Sequence, residues 1–226
     1  MLVVFARAPQ LGRVKTRLAA GIGETQALDA YRTMLVDTLA TCASLADTRT
    51  LLCVEREDVD GECAALAGRF GAHVARQRAG DLGQRMYEAL AAQLGAGRLP
   101  VLIGCDCPPL TAGDLEAAFD ALRTADAVFA PTEDGGYALV GVRRSLPEAF
   151  RGPAWGSDTV MRETREALRA QGVRWAELRT LWDVDDIAGY RRWLAWRGAS
   201  RDEPGGRVDG GGGGGGVEER GGAGRT

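Results

Sequence analysis

The chain has 226 residues, a formal net charge of −3 and 45% hydrophobic residues. Acidic and basic residues are interspersed, so no basic patch has the density a nucleic-acid binder needs, and the scattered aromatics form no base-stacking platform. The opening apolar run is too short, and too soon followed by charge, for a signal peptide or membrane span; five cysteines (Cys42, Cys53, Cys63, Cys105, Cys107) without a CxxC pair read as reduced thiols of a cytoplasmic protein.

Leu2–Ala6 reads as a short buried strand. It empties into the loop Arg7-Ala8-Pro9-Gln10-Leu11-Gly12-Arg13-Val14-Lys15-Thr16-Arg17, which carries four cations and leads into a helix. α/β proteins build polyphosphate sites this way, with loop N–H groups and a helix N-terminus facing the ligand and Lys or Arg neutralising it. Lys15 and Arg17 are the best phosphate contacts. The competing reading is a surface turn with solvated charges, in which Thr16 caps the helix. The spacing fits neither a Walker A loop nor GxGxxG.

Glu24–Leu45 follows as the first full helix, Arg49–Val54 as strand, Cys63–Phe70 as helix and Ala72–Arg76 as a short strand. Gly80-Asp81 caps a helix over Leu82–Leu94, where Met86, Leu90 and Leu94 recur at helical spacing. Gly83 in its first turn leaves room for a nucleoside against the backbone. Arg85 either reaches a phosphate or stays in solvent.

The apolar run Leu99–Gly104 predicts a central parallel strand. Asp106 stands at its end, in Gly104-Cys105-Asp106-Cys107-Pro108-Pro109-Leu110. A divalent ion bridging phosphates needs only one or two protein carboxylates, so Asp106 is a candidate metal ligand. Capping of the next helix, Asp114–Thr124, falls to the nearer Thr111. Zinc is disfavoured, because Cys105 and Cys107 have no second ligand pair and His73 is the only histidine.

Ala127–Pro131 and Tyr137–Val142 read as strands with no helix between them. The intervening Asp134-Gly135-Gly136 is hairpin chemistry or a place where backbone approaches a ligand. Trp155 is a candidate for stacking on a sugar, against a core or rim role. Helix Ser157–Gln171, strand Val173–Thr180 and helix Ile187–Trp196 complete the pattern. Between the last two lies Asp183-Val184-Asp185-Asp186, whose carboxylates repel unless a cation compensates them, although a helix N-terminus also favours acids. Paired with Asp106, Asp185 completes a two-carboxylate metal site. From Ser200 the chain turns Gly-rich, which predicts a domain over 1–199 and a disordered tail over 200–226. Alternating βα units predict a doubly wound, mostly parallel α/β sheet with a small antiparallel insertion around Asp134–Val142, and ligands at the C-terminal strand edge.

Taken together, Phe5-Ala6-Arg7-Ala8-Pro9, Gly12-x-Val14-Lys15-Thr16-Arg17-Leu18, Gly80-Asp81-Leu82-Gly83-x-Arg85-Met86, Gly104-x-Asp106-x-Pro108, Asp134-Gly135-Gly136-Tyr137 and Asp183-Val184-Asp185 resemble the radical-SAM/selenodomain-associated transferase 1 family. That family is a glycosyltransferase-like group of the nucleotide-diphospho-sugar transferase superfamily. The resemblance covers residues 2–196. It implies a Rossmann-like GT-A fold that handles a nucleotide or nucleotide-sugar substrate with Mg²⁺ or Mn²⁺.

The resemblance further implies that Arg7, Gly12, Lys15, Arg17, Gly83 and Arg85 bind nucleotide and phosphate. Lys15 and Asp106 would be catalytic, and Asp106 and Asp185 would bind the metal, with Asp183 the rival of Asp185. Asp134, Gly135, Gly136 and Tyr137 would shape the acceptor pocket. The loop is also similar to those of phospholactate and molybdenum-cofactor guanylyltransferases. This chain departs from the family at Arg7 (commonly Lys), Cys105 (Ser) and Asp186 (Thr). The expected activity is glycosyl transfer from a nucleotide sugar. Nucleotidyl transfer with release of pyrophosphate is the second reading, and a non-catalytic nucleotide-binding protein the third.

Overall fold

The computed structural model describes residues 1–55, 58 and 61–202. Seven strands form one sheet: β1 (Leu2–Ala6), β2 (Thr50–Val54), β3 (His73–Arg76), β4 (Val101–Ile103), β5 (Ala127–Pro131), β6 (Tyr137–Val142) and β7 (Trp175–Glu177), in the order β3-β2-β1-β4-β6-β5-β7. β1 pairs parallel with both β2 and β4, in register Val4↔Leu52 and Val4↔Ile103. β6 alone runs against its neighbours, antiparallel to β4 and β5, and β7 resumes the parallel direction beside β5. The expected antiparallel insertion is therefore β6.

Side-chain alternation sorts the strands between two helical layers. Leu2, Val4 and Ala6 of β1 enter a core with Leu28, Tyr31, Leu35 and Leu39 of α2 (Glu24–Ala43), Ala67 of α3 (Glu62–Arg69) and Leu115 and Ala118 of α5 (Ala112–Ala121). On the other face, Val3 joins Met86 and Leu90 of α4 (Leu82–Gly95), Phe150 of α6 (Glu148–Arg151) and Met161 and Leu168 of α7 (Val160–Ala170). A third, smaller core lies away from the sheet. There Leu18 of α1 (Thr16–Ile22) packs with Ala27, Ala30 and Met34 of α2, Val184, and Trp193 of α8 (Ile187–Asp202).

The differences from the sequence reading have local causes. Gly23, at φ 87°, separates α1 from α2. The single-turn α6 is too short to show a period. β7 is shorter than Val173–Thr180, and the chain beyond it returns to the sheet through the single bridge Thr132↔Leu181. α8 continues past Trp196 to Asp202, into the stretch expected to be tail; the rest of that stretch, 203–226, lies outside the described residues. All five cysteines are free and buried. No helix among the described residues is long and apolar enough to cross a membrane.

The turn after β4 is braced from the far end of the chain. Thr111 caps α5 in a reciprocal capping box with Asp114. Arg179 donates from Nε to Asp114 Oδ1 (2.7 Å), and from Nη2 to Asp114 Oδ2 (2.7 Å) and the Pro109 carbonyl (2.6 Å). Burial opposes the Asp114 charge, but the bonds from Arg179 and Thr111 outweigh it and hold the carboxyl below the usual range. Asp114→Ala removes cap and ion pair together, at a cost of about 1–3 kcal/mol in urea denaturation at pH 7. Because the folded pKa is depressed, this contribution is complete above the ordinary carboxylate range. The gap between wild type and variant closes as pH falls through the folded value.

Candidate active site

Sheet order makes the cleft. β1, β2 and β3 step outward in one direction, and β4 then returns to the other side of β1, so their connections diverge at the C-terminal ends of β1 and β4. A cavity of about 570 Å³ opens there, lined among others by Arg7, Lys15, Arg17, Glu55, Gln77, Arg85, Asp106, Tyr137 and Asp185.

Lys15 is its centre. It is the only non-glycine residue with positive φ among the described residues (φ 48°, ψ 46°), and its side chain is 6% exposed. Nζ donates to Asp106 Oδ2 (2.8 Å) and Asp185 Oδ1 (2.7 Å), and Arg17 Nη2 donates to Asp185 Oδ2 (2.8 Å). Burial opposes the ammonium charge, yet Asp106 and Asp185 outweigh it and raise the lysine above its ordinary value. The same lysine, with Arg17 and Arg7, holds Asp185 below the usual carboxylate range against its burial. Asp183 behaves oppositely: burial, then the charges of Asp106, Asp134 and Asp185, lift it to about 7 against the pull of Lys15.

The segments carrying these groups are fixed by main-chain bonds. Val184 N–H donates to the Asp106 carbonyl (3.0 Å), which brings Asp185 alongside Asp106. Tyr31 pins the start of the cationic loop: its hydroxyl accepts from Arg7 N–H (2.8 Å) and donates to the Arg7 carbonyl (2.9 Å). Arg7 and Arg85 both face Glu55, so Arg85 is held in an ion pair rather than left in solvent. Gly12 sits at φ 69° with the Glu24 carboxylate against it.

Two glycines serve packing. A Cβ on Gly83 would collide with the Phe150 carbonyl and the Trp155 ring, so this glycine lets α4 approach α6 rather than opening space for a nucleoside. Gly135, at φ 87°, is pressed against the Asp158 backbone. Asp134 Oδ1 accepts from Thr132 Oγ1 (2.5 Å) and Gly136 N–H (3.1 Å), which is hairpin chemistry. The Tyr137 ring lies edge-on to Phe129 (5.2 Å) and Trp155 (6.2 Å) with its hydroxyl buried and without a hydrogen bond among the described residues, and Trp155 is half-buried against the Phe129 core. Tyr31, Glu55 and Gln77 were not evident in the sequence. The last two directly follow β2 and β3, and the strand-end rule that singles out Asp106 would have found them.

The family described as "Uncharacterized protein conserved in bacteria (DUF2064)" matches residues 38–157. The chain belongs to this family. A 3-phospho-D-glycerate guanylyltransferase of Phenylobacterium zucineum (strain HLK1) is 33% identical to this DUF2064 member over 168 residues, 70% of the chain and 72% of the relative. A crystal structure from Desulfovibrio desulfuricans G20, provisionally called a nucleotide-diphospho-sugar transferase, is similar at 28% identity and TM-score 0.79, covering 89% of this chain and 88% of that one. A Mycobacterium tuberculosis H37Rv protein solved with manganese shares the fold alone (18% identity, TM-score 0.54, 86% and 97% covered). The DUF2064 chain is thus a transferase with the nucleotide-diphospho-sugar transferase architecture.

Because Gly83 is a packing contact, Gly83→Ala is expected to destabilise the fold by about 1–3 kcal/mol. Thermal denaturation should show the loss with and without nucleotide alike.

Proposed function

We propose that this DUF2064 member is a metal-dependent nucleotidyltransferase, placed beside the radical-SAM/selenodomain-associated transferases that its motifs resemble. An oxygen of a small phosphorylated acceptor attacks the α-phosphorus of a nucleoside triphosphate. The bond from that phosphorus to the α,β-bridging oxygen breaks, and pyrophosphate leaves. The observation that carries this reading is the Lys15 ammonium clamped between Asp106 and Asp185 at the switch point of the sheet. Lys15 and Arg17 line the cavity at its phosphate end, positive charge suited to a polyphosphate. The guanylyltransferase relative supports the same class.

The residues fit a divalent ion. Oxygens of Asp106 and Asp185 already converge on one cationic nitrogen, each within 2.8 Å. No group of three or more His, Cys, Asp or Glu among the described residues forms a closed metal cage. An open two-carboxylate site, completed by phosphate oxygens and water, is what Mg²⁺ or Mn²⁺ takes in nucleotide enzymes. Such an ion would supply Lewis-acid stabilisation of charge on the phosphates. Asp185, low in pKa and directed at Lys15, fits as second ligand better than Asp183.

The chain's own groups do the rest. Lys15 holds positive charge at the mouth of the two carboxylates, and Arg17, 74% exposed and paired with Asp185 through Nη2, lies beside it to meet the outer phosphates. Tyr31 fixes the loop that carries them. Glycosyl transfer is the second reading, supported by the similarity to the Desulfovibrio structure. A non-catalytic role would be marked by loss of Lys15 or a carboxylate, and all three are in place.

Product analysis tests the order of these readings. Nucleotidyl transfer releases pyrophosphate from a triphosphate and a phosphorylated acceptor, whereas release of a nucleoside diphosphate from a nucleotide sugar would replace it with the glycosyl reading. Asp106→Asn should abolish turnover while leaving the unfolding midpoint within a few degrees of wild type. Undiminished turnover in that variant would remove Asp106 from the metal site. Lys15→Ala should weaken triphosphate binding by about 1.5–3 kcal/mol in calorimetry, the value of a charged hydrogen bond.

A further inference from the structure

The cavity has a second polar end. Glu55 follows β2, Gln77 follows β3, and Arg85 lies on the first turns of α4. Gln77 Nε2 donates to the Cys53 carbonyl (2.8 Å) and the Ala6 carbonyl (3.2 Å), bridging the ends of β2 and β1. Two main-chain acceptors fix the orientation of the amide. Its Oε1 therefore accepts from Arg85 Nη1 (2.8 Å), and the same Nη1 lies 3.1 Å from Glu55 Oε1. Arg7 Nε holds the other oxygen, Oε2, at 2.8 Å. The Arg85 and Glu55 side chains are 16% and 23% exposed, and both line the cavity. Arg85 Nη2 makes no hydrogen bond among the described residues. Leu82, an exposed apolar side chain, and Met86 stand beside the pair on the cavity wall.

This end lies at a set distance from the phosphate end. Glu55 leaves β2 and Asp106 follows β4, with β1 between them. Two inter-strand spacings amount to about 10 Å, the reach of a nucleoside whose phosphates sit at Lys15. A base at this end meets a rigid donor next to a rigid double acceptor, with apolar side chains for its face. A guanidinium donates only, and an ionised carboxylate accepts only.

We propose that Glu55 and Arg85 select guanine, with Gln77 positioning Arg85; this rests on the nucleotidyl reading above. Guanine offers O6 as acceptor and, beside it, N1–H and the N2 amine as two adjacent donors. Arg85 Nη2 donates to O6, and the Glu55 carboxylate accepts from N1–H and N2–H. Each carboxylate oxygen has a second lone pair to spare beyond its present arginine. Adenine and cytosine give a carboxylate only one donor, and uracil sets a carbonyl against its second oxygen. A site built of buried polar groups rejects the base that leaves them unpaired.

Calorimetric titration of the full chain with GTP, ITP, ATP and UTP, each with Mg²⁺, tests this assignment. ITP is guanine's closest control, because inosine lacks only the N2 amine. Wild type should bind GTP about tenfold or more tightly than ITP, and more tightly still than ATP or UTP. Glu55→Gln should bind GTP about 10- to 100-fold more weakly than wild type and bring GTP and ITP to equal affinity. Wild type that binds all four triphosphates alike, or a Glu55→Gln variant that keeps its preference for GTP over ITP, overturns the base assignment and leaves nucleotidyl transfer standing. Absence of binding by every triphosphate overturns both. The wild-type comparison of GTP with ITP decides the matter even if the variant fails to fold.

Discussion

The Lys15 ammonium is the charge on which the site depends. It is nearly removed from water and lies between two carboxylates drawn from positions 106 and 185. Burial of an ion is costly, and a pair repays that cost only with good geometry and several hydrogen bonds. Here one buried nitrogen serves two carboxylates at 2.7–2.8 Å, both of which keep part of their contact with water. The backbone reinforces the arrangement. A non-glycine residue in left-handed conformation costs of order 1–3 kcal/mol and persists only where its surroundings over-determine it. Lys15 is so held, at the turn where the cationic loop becomes α1.

Around that centre the sheet divides the labour. The ends of β1 and β4 hold the Lys15–Asp106 contact, and the ends of β2 and β3 hold the Glu55–Gln77 network. β1 belongs to both, since the carbonyl of its last residue, Ala6, accepts from Gln77 and the next residue, Arg7, meets Glu55. Reversal of β6 brings Tyr137, the first residue of that strand, to the same edge where its neighbours end. One antiparallel strand thus adds an aromatic wall to a cleft that parallel strands alone would line with loop residues.

Much of this was legible in the sequence. Apolar runs marked the central strands β1, β2, β4, β5 and β6, and the Asp-Gly-Gly turn between two of them announced the antiparallel member. Asp106 stood out as a strand-end carboxylate without a partner near in sequence and Asp185 as one of a crowded acidic run, and the structure brings the two together at one lysine. Long-range polar geometry was hidden. That Arg85 turns to Glu55 across 30 residues, or that Tyr31 clasps both main-chain groups of Arg7, leaves no periodic trace. Close packing at the two glycines was equally hidden: Phe150 presses on Gly83 and Asp158 on Gly135, and such contacts belong to the tertiary fold.

The small core under α1 has its own consequence. Leu18 of α1, Val184 before Asp185 and Trp193 of α8 share it, and Ile187 rests against Gly21. The helix that starts at Lys15 and the segment that bears its carboxylate partner are therefore two parts of one clasp, fastened outside the main cores. Charge balance at the centre is the inner fastening and α8 the outer one. Because α8 follows both Lys15 and Asp185 along the chain, the outer fastening can close only after both members of the charged centre have been made.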